Sequence, residues 1–565
     1  MSVSRRRAAY DFETTTVADD CRVWVWGYYD IDTDVFEYGL DIASWCVHTS
    51  KRNTLGWFHN LKFDGMFIID YLLRQGYTHV TGRPSAKGEF ATLISDMGQM
   101  YSINVNWRNG KRLELRDSAK KFPSMTIARI AKVFNMDIGK GDIDYHACRP
   151  VGYIPTREEI DYLYRDVKIL GTAIRATLEE GMSKLTIGSD SLFEYKRVVG
   201  DNTFKHQFPI LGGALDAEIR RAYRGGFTYA DPRYKGGLVG SGVVLDVNSL
   251  YPYIMVDKLI PFGEPKYSRG MPEPTETMPL TIFSVTFTAK IKPRHIPCIQ
   301  IKGSSRFVET QYLEEISEPT ELVVTNVDWE LYNEHYDIEV YEYGGGWLFY
   351  AARGMFDEYI DKWSEVKANS TGGRRELAKL HLNSLYGKMA TNPNVTSKIP
   401  ELDLESDTVK MFQGVPEVRK PVYTAAGVFI TSWARAHTIR AAQENYDRFA
   451  YADTDSLHLM NEGATDFGGI VYVIPGTLEV HDTKLGAWAF EYAFESAVFM
   501  RAKAYMERLY DGSYVTRIAG LPTNVGERLT FDDVFNGNVI HGKLLPRVVP
   551  GGVVLVDTPY KLVVE

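Results

Sequence analysis

Tyr451-Ala452-Asp453-Thr454-Asp455-Ser456 closes an apolar run, Phe449–Asp453, that reads as a β-strand, and places two carboxylates at i and i+2 where that strand turns. Alone, D-T-D is more often a solvated hairpin. Its meaning depends on two stretches upstream. Asp246-Val247-Asn248-Ser249-Leu250-Tyr251-Pro252 ends a second apolar strand, Gly242–Val247, with a carboxylate and a turn. Between them lies Lys379-Leu380-His381-Leu382-Asn383-Ser384-Leu385-Tyr386-Gly387, inside a helix predicted over Arg374–Met389. There Lys379, Asn383 and Tyr386 stand at i, i+4 and i+7, on one face. A cation, an amide and a ring on one face suit a triphosphate, a sugar and a base. The plainer reading is a surface helix with its Tyr packed inward. The three motifs in this order are hard to produce by chance.

The N-terminal part carries its own acidic set. Asp11-Phe12-Glu13 projects two carboxylates from one face of a strand, which costs stability unless a cation sits between them. A lone D-x-E is more often the solvated face of an edge strand. Here Asn60 and Asp64 follow at a spacing of four, within His59-Asn60-Leu61-Lys62-Phe63-Asp64. Tyr162 and Asp166 then share a helix face. Four converging carboxylates suit two divalent ions about 3.5–4 Å apart, the arrangement for in-line attack on a phosphodiester. Tyr162 would orient the water, and Lys140 would support the cleaved phosphate.

A length of 565 residues suggests roughly three or four domains. With 44% hydrophobic and 24% charged residues, a disordered, collagen-like or disulfide-scaffold chain is excluded. Cys21, Cys46, Cys148 and Cys298 are scattered without a C-x-x-C pair, against a zinc site and for a reducing compartment. The basic start through Arg5-Arg6-Arg7 meets Asp11 and Glu13 rather than an apolar segment, so no signal peptide is expected, nor a membrane span. The net charge of −9 taken alone argues against nucleic acid. Basic residues nevertheless gather near the motifs: Lys120-Lys121, Arg220-Arg221 with Arg224, Arg374-Arg375 with Lys379, and Arg501 with Lys503. They predict a positive channel on an acidic surface.

Strands predicted at Asp11–Thr16 and Val23–Tyr29 alternate with helices at Phe63–Arg74 and Arg157–Glu180, an α/β pattern. Further strands are expected at Leu280–Lys290 and Ile296–Lys302, helices at Phe356–Val366 and Gly427–Asp447, and short strands from Gly520 onward, including Gly552–Val556.

These six motifs, with Tyr223-Arg224-Gly225-Gly226, Lys503-Ala504-Tyr505 and Pro550-Gly551-Gly552-Val553, resemble the family B DNA polymerases that carry an editing exonuclease. The similarity is to the protein-primed polymerases of small tailed phages, the φ29 type, and covers nearly the whole chain. It implies an α/β and α+β multidomain protein: an RNase H-like 3′→5′ exonuclease domain at 1–186, then a right-hand polymerase. Palm would fall at 187–257 and 425–519, fingers at 355–391 and thumb at 520–565. An insertion at 258–354 would contact a terminal protein primer, and one at 392–424 would confer processivity and strand displacement. The resemblance implies Mg²⁺ or Mn²⁺, two ions per site. Ligands would be Asp246, Asp455 and the Val247 carbonyl with Asp453 in support, and in the exonuclease Asp11, Glu13, Asp64 and Asp166. Tyr251 would exclude a ribose 2′-hydroxyl, and Lys367 and Lys379 would meet the triphosphate, with Asn383 and Tyr386 also at the nucleotide. Lys503 and Tyr505 would hold the primer end, and Tyr223, Gly225 and Gly226 the template. Thr14, His59, Asn60, Phe63 and Ser118 would handle the frayed strand. Partners would be primer-template DNA, dNTPs and the terminal protein, in the cytoplasm of an infected host cell. Two departures stand out: Ser118-Ala119 and Ser124 replace a leucine and an aromatic among the strand ligands, and Leu521–Arg528 is poor in lysine. Rival readings are a DNA-primed family B polymerase, a stand-alone metal-dependent nuclease, a non-catalytic nucleic-acid binder, and an RNA polymerase or reverse transcriptase.

Overall fold

The computed structural model describes residues 5–301, 311–461 and 476–562. Residue 302 of one expected strand, residues 302–310 of the first insertion, 462–475 of the second palm segment, and the extreme termini lie outside the described residues.

Residues 6–117 build a mixed sheet of eight strands in which Arg6–Thr14 is internal, antiparallel to Val23–Asp30 and parallel to Thr54–Phe58. Pairing with Thr54–Phe58 ends at Ala9, so Asp11 and Glu13 extend beyond it, paired to Val23–Asp30 alone. Alternation along Arg6–Thr14 sends Ala8, Tyr10 and Phe12 into one apolar core with the helix Leu61–Arg74. Ala9 enters another core with the helix Arg157–Glu179, and Asp11 and Glu13 share its side of the strand. That second helix starts where the sequence says it should. Thr156 Oγ1 accepts from the Glu159 amide at 3.2 Å, and the Glu159 carboxylate accepts from the Thr156 amide at 2.9 Å, a reciprocal cap.

The second large sheet is antiparallel. Its main path runs Tyr514–Ile518, Ala504–Leu509, Trp488–Arg501, Gly242–Val247, Ser456–Met460, Phe449–Asp453, Thr228–Ala230. Val243, Leu245 and Val247 pack toward the helix Thr424–Glu444, whose residues are buried along most of its length. Val244 points to the other face, and by alternation so does Asp246. Helices Asp357–Asn369 and Gly372–Met389 form an antiparallel pair beside this sheet. Leu377 and Leu380 reach back into the core of the N-terminal sheet.

Residues 258–354 add a four-stranded antiparallel sheet with the helix Asn326–His335, and 392–424 add two short hairpin pairings. Beyond residue 520 the expected short strands are joined by helices Thr523–Gly526 and Phe531–Phe535. The hairpin of Leu544–Val549 and Gly552–Asp557 lies on the helix Leu61–Arg74, with Val553 beside Phe67 in one core. Gly551, at φ +87°, allows that approach: a β-carbon there would stand 2.4 Å from the Cys21 carbonyl oxygen. No described helix is long and apolar enough to cross a membrane.

Candidate active sites

Three elements assemble the N-terminal site. The strand Arg6–Thr14 brings Asp11 and Glu13, the first turn of Leu61–Arg74 brings Asp64, and Arg157–Glu179 brings Tyr162 and Asp166. Burial and then the Asp166 charge push Asp11 up to about 8. Burial, followed by Asp11 and Asp166, raises Glu13 well above the carboxylate range, and burial with Asp11 does the same to Asp64. Lys140 opposes this: its Nζ lies 3.3 Å from Asp166 Oδ2, and although burial works against its charge, Asp166, Tyr145 and Asp11 together raise its pKa. Asp166 Oδ1 is buried and unpartnered among the described residues. The Tyr162 hydroxyl lies 2.6 Å from that of Tyr145, a residue the motif spacing did not single out.

His59 is held by both ring nitrogens, Nδ1 at 2.9 Å from Ser118 Oγ and Nε2 at 2.7 Å from the Met125 carbonyl. Ser118 has no exposed surface. Its hydroxyl is used to orient His59. Asp117, unnoticed in the sequence, accepts from the backbone amides of Asn60, Leu61 and Ala119 at 2.9, 3.3 and 3.0 Å. It thereby secures Asn60, which enters the helix at φ +65°. Thr14 is half-buried, and the half-buried Phe63 packs against Phe67.

The second site is built around a strained turn. Thr454 has φ +64°, and the Asp455 amide donates to the Asp453 carbonyl at 2.8 Å across it. A β-branched residue in that conformation persists only where its surroundings impose it. Here the Thr454 amide donates to the Phe227 carbonyl at 2.6 Å, and Thr438 Oγ1 donates to the Thr454 carbonyl at 2.8 Å. Gly226 faces the same side chain: a β-carbon there would stand 2.7 Å from Thr454 Cγ2. Gly226 is thus tied to the turn itself, whereas Gly225 has open space around it. Asp453 accepts from Thr228 Oγ1 at 3.0 Å, and the Val247 amide donates to the Asp455 carbonyl at 2.8 Å, locking this turn to the strand of Asp246.

Asp246 is pushed up to about 8 by burial, then by Asp455 and Glu491. Asp455 rises to about 6, burial first, with Asp453 and Glu491 adding. Glu491 escaped the sequence reading because no motif marks it. It sits at a register shift in Trp488–Arg501, where Val244 pairs with Tyr492 and Leu245 with Phe490, leaving Glu491 without a ladder partner.

The helix Gly372–Met389 buries Leu377, Ala378, His381, Leu382 and Leu385, leaving Lys379, Asn383 and Tyr386 on the outer face. Lys367 Nζ lies 3.4 Å from Ser249 Oγ; burial, Lys379 and Arg375 lower its pKa, so three cations converge. The Tyr386 ring stacks on Tyr251 with centroids 3.7 Å apart. Lys503, at φ +58°, donates its amide to the Tyr451 hydroxyl at 2.9 Å, with Nζ 4.0 Å from Asp453. Tyr505 is 9% exposed and packs on Tyr451. Tyr223 is half-buried.

Several of the clustered cations are engaged within the protein. Lys121 is buried on Asp190, and Arg224 donates to the Ala222 and Val323 carbonyls. Arg220 pairs with Asp216, Arg221 with Glu321 and Arg374 with Glu180.

The family model described as DNA polymerase type B, organellar and viral, matches residues 46–156 and 152–467. The DNA polymerase of Bacillus phage Nf is 40% identical, over 99% of this chain and all of the relative. That of Streptococcus phage Cp-1 is 30% identical, over 98% of each. The solved structure of φ29 DNA polymerase with primer-template DNA and incoming nucleotide superposes with a TM-score of 0.91 at 40% identity, covering 99% of this chain and 100% of that one. The complex of the same enzyme with single-stranded DNA gives 0.90 over 99% and 100%. The chain belongs to the organellar and viral type B DNA polymerases and is of the φ29 type.

Proposed function

We propose that this polymerase is a replicative DNA-dependent enzyme with a separate 3′→5′ editing exonuclease, displacing the strand ahead of it and initiating on a terminal-protein hydroxyl. The observation that carries the reading is the pair of acidic centres on two different sheets, each raising the pKa values of its own carboxylates. A buried set of like charges is a site prepared for cations.

The residues fit divalent ions by charge rather than by ready geometry. Asp166 Oδ1 is an unpartnered buried acceptor, yet among the described residues no three His, Cys, Asp or Glu side chains already close at metal-ligand spacing. Asp246, Asp455 and the Val247 carbonyl, with Asp453 in support, would hold the ions at one centre, and Asp11, Glu13, Asp64 and Asp166 at the other. When bound, Mg²⁺ or Mn²⁺, two per centre, supplies Lewis-acid charge to an in-line displacement. At the synthetic centre Lys367 and Lys379 receive the triphosphate, Tyr251 lies beneath the sugar, and Asn383 and Tyr386 border the base. Lys503 and Tyr505 hold the primer end, while Tyr223, Gly225 and Gly226 meet the template. At the editing centre Tyr162, braced by Tyr145, orients the water, Lys140 supports the phosphate, and Thr14, His59, Asn60 and Phe63 hold the unpaired strand, Phe63 by stacking.

On this reading residues 1–186 edit, 187–257 and 425–519 are palm, 355–391 fingers and 520–565 thumb. Residues 258–354 meet the terminal protein, 392–424 close around DNA, and the enzyme works in the host cytoplasm. With primed template, Mg²⁺ and dNTPs, Asp11→Ala should still extend and Asp455→Ala should not; normal extension by Asp455→Ala would end the assignment. Protein priming is tested with the cognate terminal protein and labelled dATP. Lack of a covalent nucleotidyl-protein would leave a DNA-primed enzyme.

A further inference from the structure

We infer that His458 and Glu507, which belong to no motif, are positioning residues for the primer 3′ end, an inference that rests on the reading of Lys503 and Tyr505 as the residues that hold it. His458 lies on Ser456–Met460 and Glu507 on Ala504–Leu509, with two strands between them in the sheet order. Their side chains nevertheless meet, His458 Nδ1 at 2.6 Å from Glu507 Oε1, and neither has any exposed surface. The second carboxylate oxygen, Oε2, accepts from the Tyr492 hydroxyl at 2.7 Å.

This polar contact lies in an apolar setting. The cluster around it contains Val244, Tyr451, Phe494, Phe499 and Tyr505. Burying a carboxyl group and an imidazole costs stability before pairing, and an apolar pair of similar volume fills such a space more cheaply. Packing therefore does not account for them, whereas direction does. The His458 ring stands edge-on to Tyr451 at 5.0 Å and to Tyr505 at 4.8 Å. Tyr451 accepts the Lys503 amide, and Tyr505 follows two residues later on the strand Ala504–Leu509. Glu507 fixes the imidazole through Nδ1, and the imidazole fixes the rings on which the primer-holding turn rests. That turn is strained, since Lys503 has φ +58°, and a strained turn keeps its form only on a rigid support.

The test is the dNTP concentration at which net extension of a paired primer overtakes excision. Glu507→Leu and His458→Leu should each raise it about tenfold, with excision of single-stranded DNA unchanged. Glu507→Gln keeps an oxygen toward Tyr492 and should stay within about threefold of the native enzyme. His458→Gln serves if Glu507→Leu does not fold, with the same direction expected. Lys503→Ala separates the two layers. If it shifts the balance while the folded Leu and Gln variants at 458 and 507 do not, the inference is overturned and the primer-holding reading stands. If Lys503→Ala has no effect, the primer-holding reading fails and the inference with it. A Glu507→Gln enzyme as impaired as Glu507→Leu would also overturn the inference.

Discussion

The rings of Tyr251 and Tyr386 lie face to face, 3.7 Å between centroids and 14° from parallel. One stands at the start of the helix Leu250–Asp257 just beyond the Asp246 strand, the other on Gly372–Met389. The charge of Asp455 reaches both hydroxyls, so the stack borders the acidic centre. Contact between rings is worth about 0.5–1.5 kcal/mol.

On the proposed reading, replacing Tyr251 by Val removes the ring beneath the sugar. Ribonucleotide incorporation relative to deoxyribonucleotide is expected to rise by an amount equivalent to about 1–3 kcal/mol, measured as the ratio of kcat/KM values. Unchanged discrimination would show that another residue senses the 2′ position.

Stability should depend on pH and metal together. In the metal-free folded chain Asp11 and Asp246 keep their protons up to about 8, against about 4 when unfolded. The folded state thus binds more protons across that interval. The contribution of these two carboxyls to stability is therefore fullest below about pH 4 and is lost as pH rises through 8. In EDTA at pH 8, Asp246→Asn should stabilise by about 1–2 kcal/mol, and added Mg²⁺ should raise the Tm of the native chain more at pH 8 than at pH 5.5. Thermal melts across pH with and without Mg²⁺ decide it.

The two neighbouring glycines should separate. Gly226→Ala drives a methyl into Thr454 and should lower kcat for extension at least about tenfold, with excision of single-stranded DNA unaffected. Gly225→Ala meets no atom and should alter only template affinity. Equal effects from both would mean that Gly226 acts on DNA rather than on the turn.

Ser118→Ala removes one of the two hydrogen bonds on the His59 ring. A buried bond of this kind contributes about 1 kcal/mol, so excision of single-stranded DNA should slow by about fivefold and extension should not change. Asp117→Asn, which weakens three amide contacts, should act in the same direction and further.

Local chemistry explains what was legible from the chain. Strand Gly242–Val247 and strand Phe449–Asp453 match their predicted bounds because both are short, apolar and closed by a turn. Thr156 and Glu159 mark the start of the long helix, and the face carrying Lys379, Asn383 and Tyr386 follows from its period. The carboxylates were found because they come in short, ordered motifs.

What no motif contained had to wait for the tertiary structure. Glu491 reaches the acidic centre only through a register shift between strands, and Asp117 only by turning back onto three amides. That Ser118 turns its hydroxyl to His59, and that Lys121 and Arg224 have partners inside the protein, no motif shows. The sequence alone determined which elements form and which carboxylates exist, because propensity, capping and period are local. Whether a charge faces a partner or the solvent depends on residues far away in the chain, and only the packing of the two sheets and the elements around them decided that.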